Sequence, residues 1–339
     1  MKTIVLTGGG TGGHVVPALA LLPQLKKHFE KILFIGSGGI EKRLAEEAKI
    51  PFYSVRCVKL DRQNVLGNVK IPFLLIQGIN DCKKIYEKER PDVVFSKGGY
   101  VSLPACFAAK KKGIPVVCHE SDYTMGLANK LASRFAAKTL TSFSATPGGV
   151  CTGNPVRSEI YAGSKERALK KYPLRPDKKI VLICGGSQGA DAINKAVYNA
   201  LPELTDKYNI LHVSGKNGDF SVQNTDSYRQ IEYASDFPDL LAAADMVVGR
   251  AGANTLFETA SVGKPILCIP LPKGISRGDQ LLNAEEFRKN GYADVLPQED
   301  LFTESLLYKI ETTLKMNPGV LNSAETCEKI VREILSVIK

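Results

Sequence analysis

The stretch Thr3-Ile4-Val5-Leu6-Thr7-Gly8-Gly9-Gly10-Thr11-Gly12-Gly13-His14 decides the fold of the first part of this chain. Its β-branched apolar run predicts a buried strand, its glycines predict a tight turn, and residues 15–27 read as a helix. A strand that passes through a glycine loop into a helix opens a βαβ unit. Because the amides of such a loop and the helix dipole favour negative charge, we predict an anion-binding loop here.

The same pattern continues outward from that loop. Further apolar strands are predicted at 31–35, 92–96 and 115–118, with helices at 41–49 and 103–112 between them. The pattern then restarts with a strand at 179–184, the loop Gly185-Gly186-Ser187-Gln188-Gly189-Ala190, a helix at 191–201 and strands at 210–214, 245–248 and 265–269. Continuous apolar strands alternating with helices are typical of parallel sheets covered on both faces.

The predicted fold class is therefore α/β, with two Rossmann-like domains facing a cleft. A chain of 339 residues is long enough for two cores. We place the first domain at 1–160 and the second at 161–321. A last helix at about 322–339 has an apolar stripe, and packing back on the first domain is one option for it.

The positive charge of the chain is confined to its first half. Residues 1–157 carry 23 Lys and Arg against 11 Asp and Glu, a net charge of +12, whereas residues 158–339 carry 22 against 24. Such asymmetry favours an anionic partner, namely phosphate, an acidic lipid surface or nucleic acid, although a solvated basic surface explains it equally well. The eight cysteines show no metal-ligand spacing, and Cys118, Cys184 and Cys268 lie in apolar runs as small buried hydrophobes, so we expect a reducing cytosol. No secretory signal and no spanning segment is apparent in the sequence.

The first glycine loop also matches the dinucleotide-binding pattern through Gly8, Gly10 and Gly13. That reading is disfavoured, because the next strand ends Phe34-Ile35-Gly36-Ser37 without the acid that would hold a ribose. His14 falls in the first turn of the helix. A lone histidine there more often caps or packs, but a helix N-terminus keeps imidazole neutral and able to accept a proton. His14 is therefore a candidate general base.

A third glycine-containing stretch follows the strand at 245–248. It runs Gly249-Arg250-Ala251-Gly252-Ala253-Asn254-Thr255-Leu256-Phe257-Glu258, and its small residues let a ligand approach the backbone. Glu258 is placed to accept hydrogen bonds from ribose hydroxyls, although such a residue is more often solvated. No Asp-x-Asp pair occurs in the chain, so we predict that no metal ion binds the diphosphate. We also expect no cofactor. Helix N-termini and Arg157 are then left to balance a leaving diphosphate.

Taken together, five segments resemble the MurG family of N-acetylglucosaminyl transferases. They are Gly9–His14, Lys97-Gly98-Gly99-Tyr100-Val101-Ser102, Gly153-Asn154-Pro155-Val156-Arg157, Gly185–Ala190 and Arg250–Glu258. The resemblance implies the glycosyltransferase-B fold and transfer of GlcNAc from UDP-GlcNAc to the MurNAc C4 hydroxyl of lipid I. Lipid I is undecaprenyl-pyrophosphoryl-MurNAc-pentapeptide, and the product is lipid II for peptidoglycan synthesis.

The resemblance also implies roles for individual residues. For the donor these are Thr11, Gly12 and Gly13 facing the cleft, Arg157, Ser187 and Gln188 on the phosphate or uridine side, Ala234 at the uracil, Ala253, Asn254 and Thr255 along the diphosphate, Glu258 at the ribose and Gln280 at the sugar. The acceptor would meet Gly10, Gly98, Gly99 and Tyr100. Some family members have Asn where this chain has Asp122, so either His14 or Asp122 is the expected base.

The family's acceptor lies in a membrane, so the basic half of the chain would be attracted to anionic lipid headgroups. The longest apolar run contains Phe73, Leu74 and Leu75 and is flanked by Lys59, Arg62, Lys70, Lys83 and Lys84. This combination favours shallow insertion into an anionic inner leaflet, and a core helix face is the alternative. We therefore expect a peripheral protein at the cytoplasmic face of the membrane.

Two other classes of function stay open on the sequence alone. One is a different glycosyltransferase-B protein, such as a glycolipid glucosyltransferase or a UDP-GlcNAc 2-epimerase. The other is a non-catalytic lipid-binding or nucleic-acid-binding protein that uses the basic half. We expect no nucleic-acid partner, because aromatic residues make up only 7% of the chain and no nucleic-acid module is recognisable.

Overall fold

The chain divides into two units, each built on its own parallel sheet. The computed structural model describes residues 2–10, 12–58, 70–186, 189–274 and 277–338. Unit 1 comprises Met1–Arg157 together with Ser323–Lys339, and unit 2 comprises Ser158–Asn322. No helix among the described residues is long and apolar enough to cross a membrane.

The sheet of unit 1 contains seven strands within the described ranges. They are β1 (Thr3–Thr7), β2 (Lys31–Gly36), β3 (Phe52–Ser54), β4 (Val93–Ser96), β5 (Val116–Glu120), β6 (Lys138–Thr141) and β7 (Val150–Cys151). Their order is β3-β2-β1-β4-β5-β6-β7, and every pair is parallel. The order reverses between β1 and β4, so the loops after these two strands flank a topological switch point, where ligands bind in open α/β sheets.

Six helices in the described part of unit 1 precede Arg157. They are α1 (Gly12–Leu19), α2 (Leu22–Leu25), α3 (Ile40–Glu47), α4 (Ile71–Glu89), α5 (Ser102–Lys112) and α6 (Leu127–Ala132). Side chains from α1 and α2 join one apolar cluster with β1 and β2, and side chains from α4 and α5 join another. Both clusters draw on the sheet, which explains why β1 is buried along its whole length.

Unit 2 repeats the arrangement. Its strands are β8 (Ile180–Cys184), β9 (Asn209–Val213), β10 (Tyr228–Ile231), β11 (Met246–Gly249), β12 (Ile266–Cys268) and β13 (Ala293–Val295). Their order is β10-β9-β8-β11-β12-β13, again parallel throughout. The switch point therefore lies between β8 and β11. The two-sheet α/β fold class predicted from the sequence is confirmed.

The described helices of unit 2 lie mostly between its strands. They are α7 (Ser158–Tyr161), α8 (Lys165–Lys171), α9 (Asp191–Asn199), α10 (Leu201–Lys207), α11 (Phe237–Ala243), α12 (Ala253–Ser261), α13 (Asp279–Lys289) and α14 (Thr303–Thr313). Helices α9 and α12 begin directly after the loops that follow β8 and β11. Their N-termini therefore point toward the switch point of this sheet.

The chain ends in α15 (Thr326–Leu335), which packs on unit 1. Its buried residues Ile330, Val331 and Ile334 join the apolar cluster of α1 and α2. Glu333 pairs with Lys138 of β6, and Cys327 Sγ lies 3.7 Å from the Ala20 carbonyl oxygen. The apolar stripe noted in the sequence is thus the face that contacts the first core.

Two predicted helices are wrong in extent, and proline explains both. The single helix expected at 15–27 ends at Leu19, and α2 begins at Leu22. The ring of Pro23 lacks an N–H group and would clash with the carbonyl of Leu19 in one continuous helix. The helix expected at 191–201 likewise ends at Asn199, and Pro202 stands in the first turn of α10.

Candidate active site

The loops after β1 and β4 pack against each other at the switch point of unit 1. The Gly9 amide donates to the Gly98 carbonyl at 3.4 Å, and the Lys97 amide donates to the Thr7 carbonyl at 2.9 Å. Gly99 has a φ of +79°, and a Cβ there would collide with the Gly9 carbonyl and lie 3.2 Å from His14 Cδ2. Glycine is therefore required at Gly99, and the His14 ring lies beside it.

All four predicted acceptor residues lie in these two loops. A Cβ on Gly10, whose φ is +87°, would lie 2.8 Å from Tyr100 Cε1, so the Tyr100 ring covers this glycine. Gly12 and Gly13 form the first turn of α1, directly before His14. Thr11, predicted to face the donor, lies outside the described residues.

Glu41 already contacts the loop of unit 1 that the sequence predicts to bind an anion. Its buried carboxylate, in the first turn of α3, accepts the Gly10 amide through Oε1 at 2.7 Å. A Cβ on Gly9 would collide with the same carboxylate. Two amides of the loop are thus used within the protein, one by Gly98 and one by a negative charge. A second anion at this loop would meet electrostatic repulsion.

The segment after β5 carries Asp122 and is held by Glu120. The buried Glu120 carboxylate accepts the Asp122 amide at 3.1 Å, the Gly126 amide at 2.9 Å and Asn129 Nδ2 at 2.9 Å. These bonds fix the backbone of the 121–126 turn. Asp122 therefore stands at the carboxyl end of the sheet that also presents His14.

Lys97 begins one of the quoted family segments, but the sequence assigns it no role. Its side chain is fully buried, and Nζ lies 2.6 Å from His119 Nδ1 and 2.8 Å from Ser121 Oγ. Burial lowers the pKa of Lys97 to about 7, while the neighbouring carboxylates of Glu120 and Asp122 oppose that shift. Burial and the Lys97 charge also hold the pKa of His119 well below its usual range.

Unit 2 contains a cavity of about 510 Å³ at its own switch point. Gly185, Gly186 and Gly189 form one side of it, and Arg250, Thr255 and Gln280 are among the residues on the other. Gly186 and Gly189 have φ values of +89° and +80°, which only glycine adopts readily. The N-termini of α9 and α12 both border the cavity, through Asp191 and Gly252.

Arg250 is the one Lys or Arg among the described residues that line this cavity, and the sequence assigns it no role of its own. Its Nη1 donates to the Ile269 carbonyl at 2.9 Å and its Nη2 donates to Gln298 Oε1 at 2.7 Å. Partial burial lowers the pKa of Arg250, although a guanidinium stays charged at neutral pH. Its position directly after β11, within the quoted glycine-containing stretch, is the signal that would have found it.

The remaining predicted donor residues are placed as follows. Ala253, Asn254, Thr255 and Glu258 lie on the first turns of α12, with Ala253 and Glu258 buried. Gln280 is the second residue of α13, and its Oε1 accepts the Leu271 amide at 3.0 Å. Ala234 lies in the loop after β10 and is not among the residues that line the cavity. Arg157 ends the first segment of unit 1. Ser187 and Gln188 lie outside the described residues.

The apolar run proposed for membrane contact forms the first turns of α4. Phe73 is 63% exposed and Ile76 is 57% exposed, whereas Leu75 packs against the core of unit 1. Leu74 is half-buried, and Lys70 and Lys84 are exposed nearby in sequence. Lys59 and Arg62 fall outside the described residues. Within the part of the chain that is described, no three His, Cys, Asp or Glu side chains form a group suited to a metal ion.

The two sheets and their switch-point loops form a two-domain α/β fold, and the family models place that fold among the glycosyltransferases. Residues 4–141 match the Glycosyltransferase family 28 N-terminal domain, and residues 180–336 match the Glycosyltransferase family 28 C-terminal domain. The crystal structure of MurG from Acinetobacter baumannii superposes with a TM-score of 0.77 at 26% identity, covering 99% of this chain and 100% of that one. A UDP complex of MnaA from S. aureus has a TM-score of 0.70 at 15% identity, with 98% and 96% covered, and shows the shared fold alone.

Two relatives narrow the class further. The chain is 46% identical over 333 residues to the UDP-N-acetylglucosamine–N-acetylmuramyl-(pentapeptide) pyrophosphoryl-undecaprenol N-acetylglucosamine transferase 3 of Bacillus thuringiensis strain Al Hakam, covering 96% of this chain and 94% of that protein. It is 44% identical over 348 residues to the transferase of the same name from Clostridium perfringens strain 13, with 99% and 97% covered. The chain belongs to the MurG family of N-acetylglucosaminyl transferases, the enzymes that make lipid II.

Proposed function

We propose that this chain transfers GlcNAc from UDP-GlcNAc to the C4 hydroxyl of MurNAc in lipid I, with inversion and without a bound metal ion, at the cytoplasmic face of the membrane. The observation that carries the proposal is the cavity of unit 2, where two helix N-termini and one arginine converge. Family membership supports the choice of donor and acceptor.

The cavity suits a nucleoside diphosphate sugar. The N-termini of α9 and α12 and the charge of Arg250 would stabilise the diphosphate, both bound and as the leaving group. In our assignment Thr255 and its neighbours Ala253 and Asn254 line the diphosphate, Gln280 meets the sugar, and Glu258 takes the ribose. The Gln280 amide nitrogen points to the same role, because Oε1 already accepts the Leu271 amide and leaves the NH₂ group as a donor for a sugar hydroxyl.

The acceptor sugar would lie over the paired glycine loops of unit 1. Because the Gly10 amide is already bound to the Glu41 carboxylate, this loop suits a neutral sugar better than a phosphate. His14 beside Gly99, or Asp122 after β5, would remove the proton from the C4 hydroxyl. The oxygen then attacks C1 of the α-linked GlcNAc, a β-1,4 bond forms, and UDP leaves with the bonding electrons.

The first experiment measures transfer of labelled GlcNAc from UDP-GlcNAc to a short-chain lipid I analogue in the presence of EDTA. We expect transfer to continue in EDTA and the product to have the β configuration by NMR. Transfer that stops in EDTA and returns with Mg²⁺ contradicts the metal-free step, and an α product contradicts inversion. If UDP binds but no transfer occurs, the acceptor assignment is wrong.

The same proposal includes contact of α4 with an anionic membrane surface. The exposed Phe73 and Ile76 would insert between headgroups, while Lys70 and Lys84 meet negative charge. The double substitution Phe73→Ser, Ile76→Ser should reduce sedimentation with liposomes that contain anionic lipid. Phe302→Ser is the matched control, because Phe302 in unit 2 is also 63% exposed. Equal binding by both variants and the wild type would rule out this surface.

A further inference from the structure

Lys97 is a buried amine that the proposed chemistry does not use. It follows β4 and begins the loop that carries Gly98, Gly99 and Tyr100. Its side chain is 0% exposed, and Nζ lies within hydrogen-bond distance of His119 Nδ1 and Ser121 Oγ, and at 3.5 Å from Asn154 Oδ1. All three partners are themselves buried, so the amine is held on several sides.

The direction of each hydrogen bond in this cluster follows from its partners. His119 Nε2 lies 2.9 Å from the Gly153 carbonyl oxygen, which can only accept, so Nε2 carries the proton. Nδ1 is then an acceptor for Lys97 Nζ. Ser121 donates its hydroxyl to Asn154 Oδ1 at 3.0 Å and accepts from Lys97. Lys97 is thus the donor that sets the tautomer of His119 and the orientation of Ser121.

This cluster connects the two loops that present the acceptor site and the candidate base. On one side, Lys97 continues into Gly98, which contacts the first glycine loop through its carbonyl. On the other side, Ser121 is followed directly by Asp122. A Cβ on Gly98 would lie 2.7 Å from Asn129 Nδ2, and the same Asn129 also binds Glu120. A shift of Lys97 would therefore be transmitted to both loops.

Electrostatic interactions also link Lys97 to the segment after β5. The titratable groups that face Lys97 Nζ are His119, Glu120 and Asp122 at the end of β5 and Cys327 of α15. The Asp122 and Glu120 carboxylates favour the ammonium form of Lys97. Coulomb attraction therefore adds to the hydrogen bonds that link the Lys97 ammonium to the segment after β5.

We propose that Lys97 is a positioning residue for GlcNAc transfer, which holds the Ser121–Asp122 segment against the Gly98–Tyr100 loop. The inference rests on the proposed function, because it assigns Asp122 to the acceptor side of that reaction. It concerns unit 1 alone, so the binding of UDP to unit 2 serves as an internal reference.

The test compares Lys97→Met, which keeps the length of the side chain but removes donor and charge, with Lys111→Met, an exposed lysine of α5. For Lys97→Met we expect kcat to fall by about tenfold to hundredfold, the loss that small misplacement of a reacting group causes. The KM for UDP-GlcNAc should change by less than about twofold. The kcat–pH profile should lose the step that Lys97 adds near pH 7 in the wild type, because methionine does not titrate. Lys111→Met should match the wild type in all three.

A second variant guards against misfolding of the first. Ser121→Ala removes one partner of Lys97 with little change in volume, and its loss of kcat should be less than additive with that of Lys97→Met. Wild-type kcat and pH profile in either single variant would overturn the inference, as would a loss of kcat that tracks a loss of UDP binding. Wild-type enzyme that binds UDP without transfer would instead contradict the proposed function.

Discussion

The two glycine loops of this chain have the same position in their sheets but different neighbouring side chains. Each follows the first strand of its sheet, opens a helix and lies beside a switch point. In unit 1, the Gly10 amide is bound by the buried carboxylate of Glu41 and the loop packs on Gly98. In unit 2, Gly185, Gly186 and Gly189 open onto a cavity that also receives Arg250. The same backbone motif thus lies against a buried carboxylate in one unit and beside a cavity that contains an arginine in the other.

The difference shows that a glycine loop does not specify its ligand. The loop supplies amides and close backbone approach, but the side chain placed against those amides sets the charge that the site prefers. Glu41 comes from the helix after the second strand of unit 1, whereas Arg250 follows a strand that neighbours the loop in unit 2. The following predictions separate the two loops by experiment.

The largest expected effect is on turnover, from substitutions in unit 1. Replacing the true base, His14 or Asp122, by Ala should lower kcat by about 10²–10⁴-fold, the usual contribution of general base catalysis. UDP affinity measured by calorimetry should stay at the wild-type value, because the donor is assigned to unit 2. If both variants keep wild-type turnover, neither residue is the base. If UDP affinity falls with turnover, the division of labour between the units is wrong.

A smaller effect is expected on donor affinity, from unit 2. Arg250→Met should weaken UDP binding by about 10- to 100-fold, since a charge-assisted hydrogen bond contributes about 1.5–3 kcal/mol. Arg288→Met is the control, because Arg288 is an exposed residue of α13 that pairs with Glu285. Equal UDP affinity in both variants would mean that Arg250 only braces Ile269 and Gln298.

Removing the Glu41 carboxylate tests whether this side chain sets the charge preference of the glycine loop in unit 1. In Glu41→Ala the Gly10 amide loses its partner, so the free energy of unfolding should fall by about 1–3 kcal/mol. Inorganic pyrophosphate should also become a stronger inhibitor against the acceptor, because the loop now offers an unpaired donor without a negative charge. Glu46→Ala, at an exposed position of the same helix, should show neither change. Unaltered inhibition in Glu41→Ala would mean that Glu41 does not control the charge preference of the loop.

The smallest expected effect concerns pH and stability in unit 2. His212 is buried between Asn194 and Tyr228, and burial lowers its pKa from 6.5 to about 4. The unfolded chain therefore binds more protons than the folded one between these values. The free energy of unfolding should fall on acidification from pH 6.5 to pH 4, with a slope from this group of at most about 1.4 kcal/mol per pH unit.

Urea unfolding of His212→Gln across the same pH range tests this assignment. The variant should lose less stability than the wild type on acidification, whereas His28→Gln, at an exposed position, should follow the wild type. Parallel curves for His212→Gln and wild type would show that the neutral form of His212 does not matter for stability.

The strands and the glycine loops are predictable because their signals are local. The run Thr3–Thr7 predicts β1 with its observed bounds, and the residues after β8 and β11 predict the loops that line the cavity. The break between α1 and α2 depends on Pro23, whose clash with the preceding turn is not visible in apolar periodicity.

The parts of the site that the sequence does not reveal depend on contacts between distant residues. Glu41 meets Gly10 across 31 positions, and Lys97 meets Asn154 across 57. A buried carboxylate and a buried amine look like ordinary charged residues until the fold removes them from water. Their partners come from neighbouring strands and helices, which no spacing along the chain can identify.

The packing of α15 determines when each unit can be finished during synthesis. Unit 2 is one continuous segment, Ser158–Asn322, and all of it leaves the ribosome before α15 does. Unit 1 needs Ile330, Val331 and Ile334 to complete its first core. That core therefore cannot be completed until α15 has been synthesised. A chain that ends at Asn322 would therefore keep all of unit 2 but lack the helix that completes the first core of unit 1.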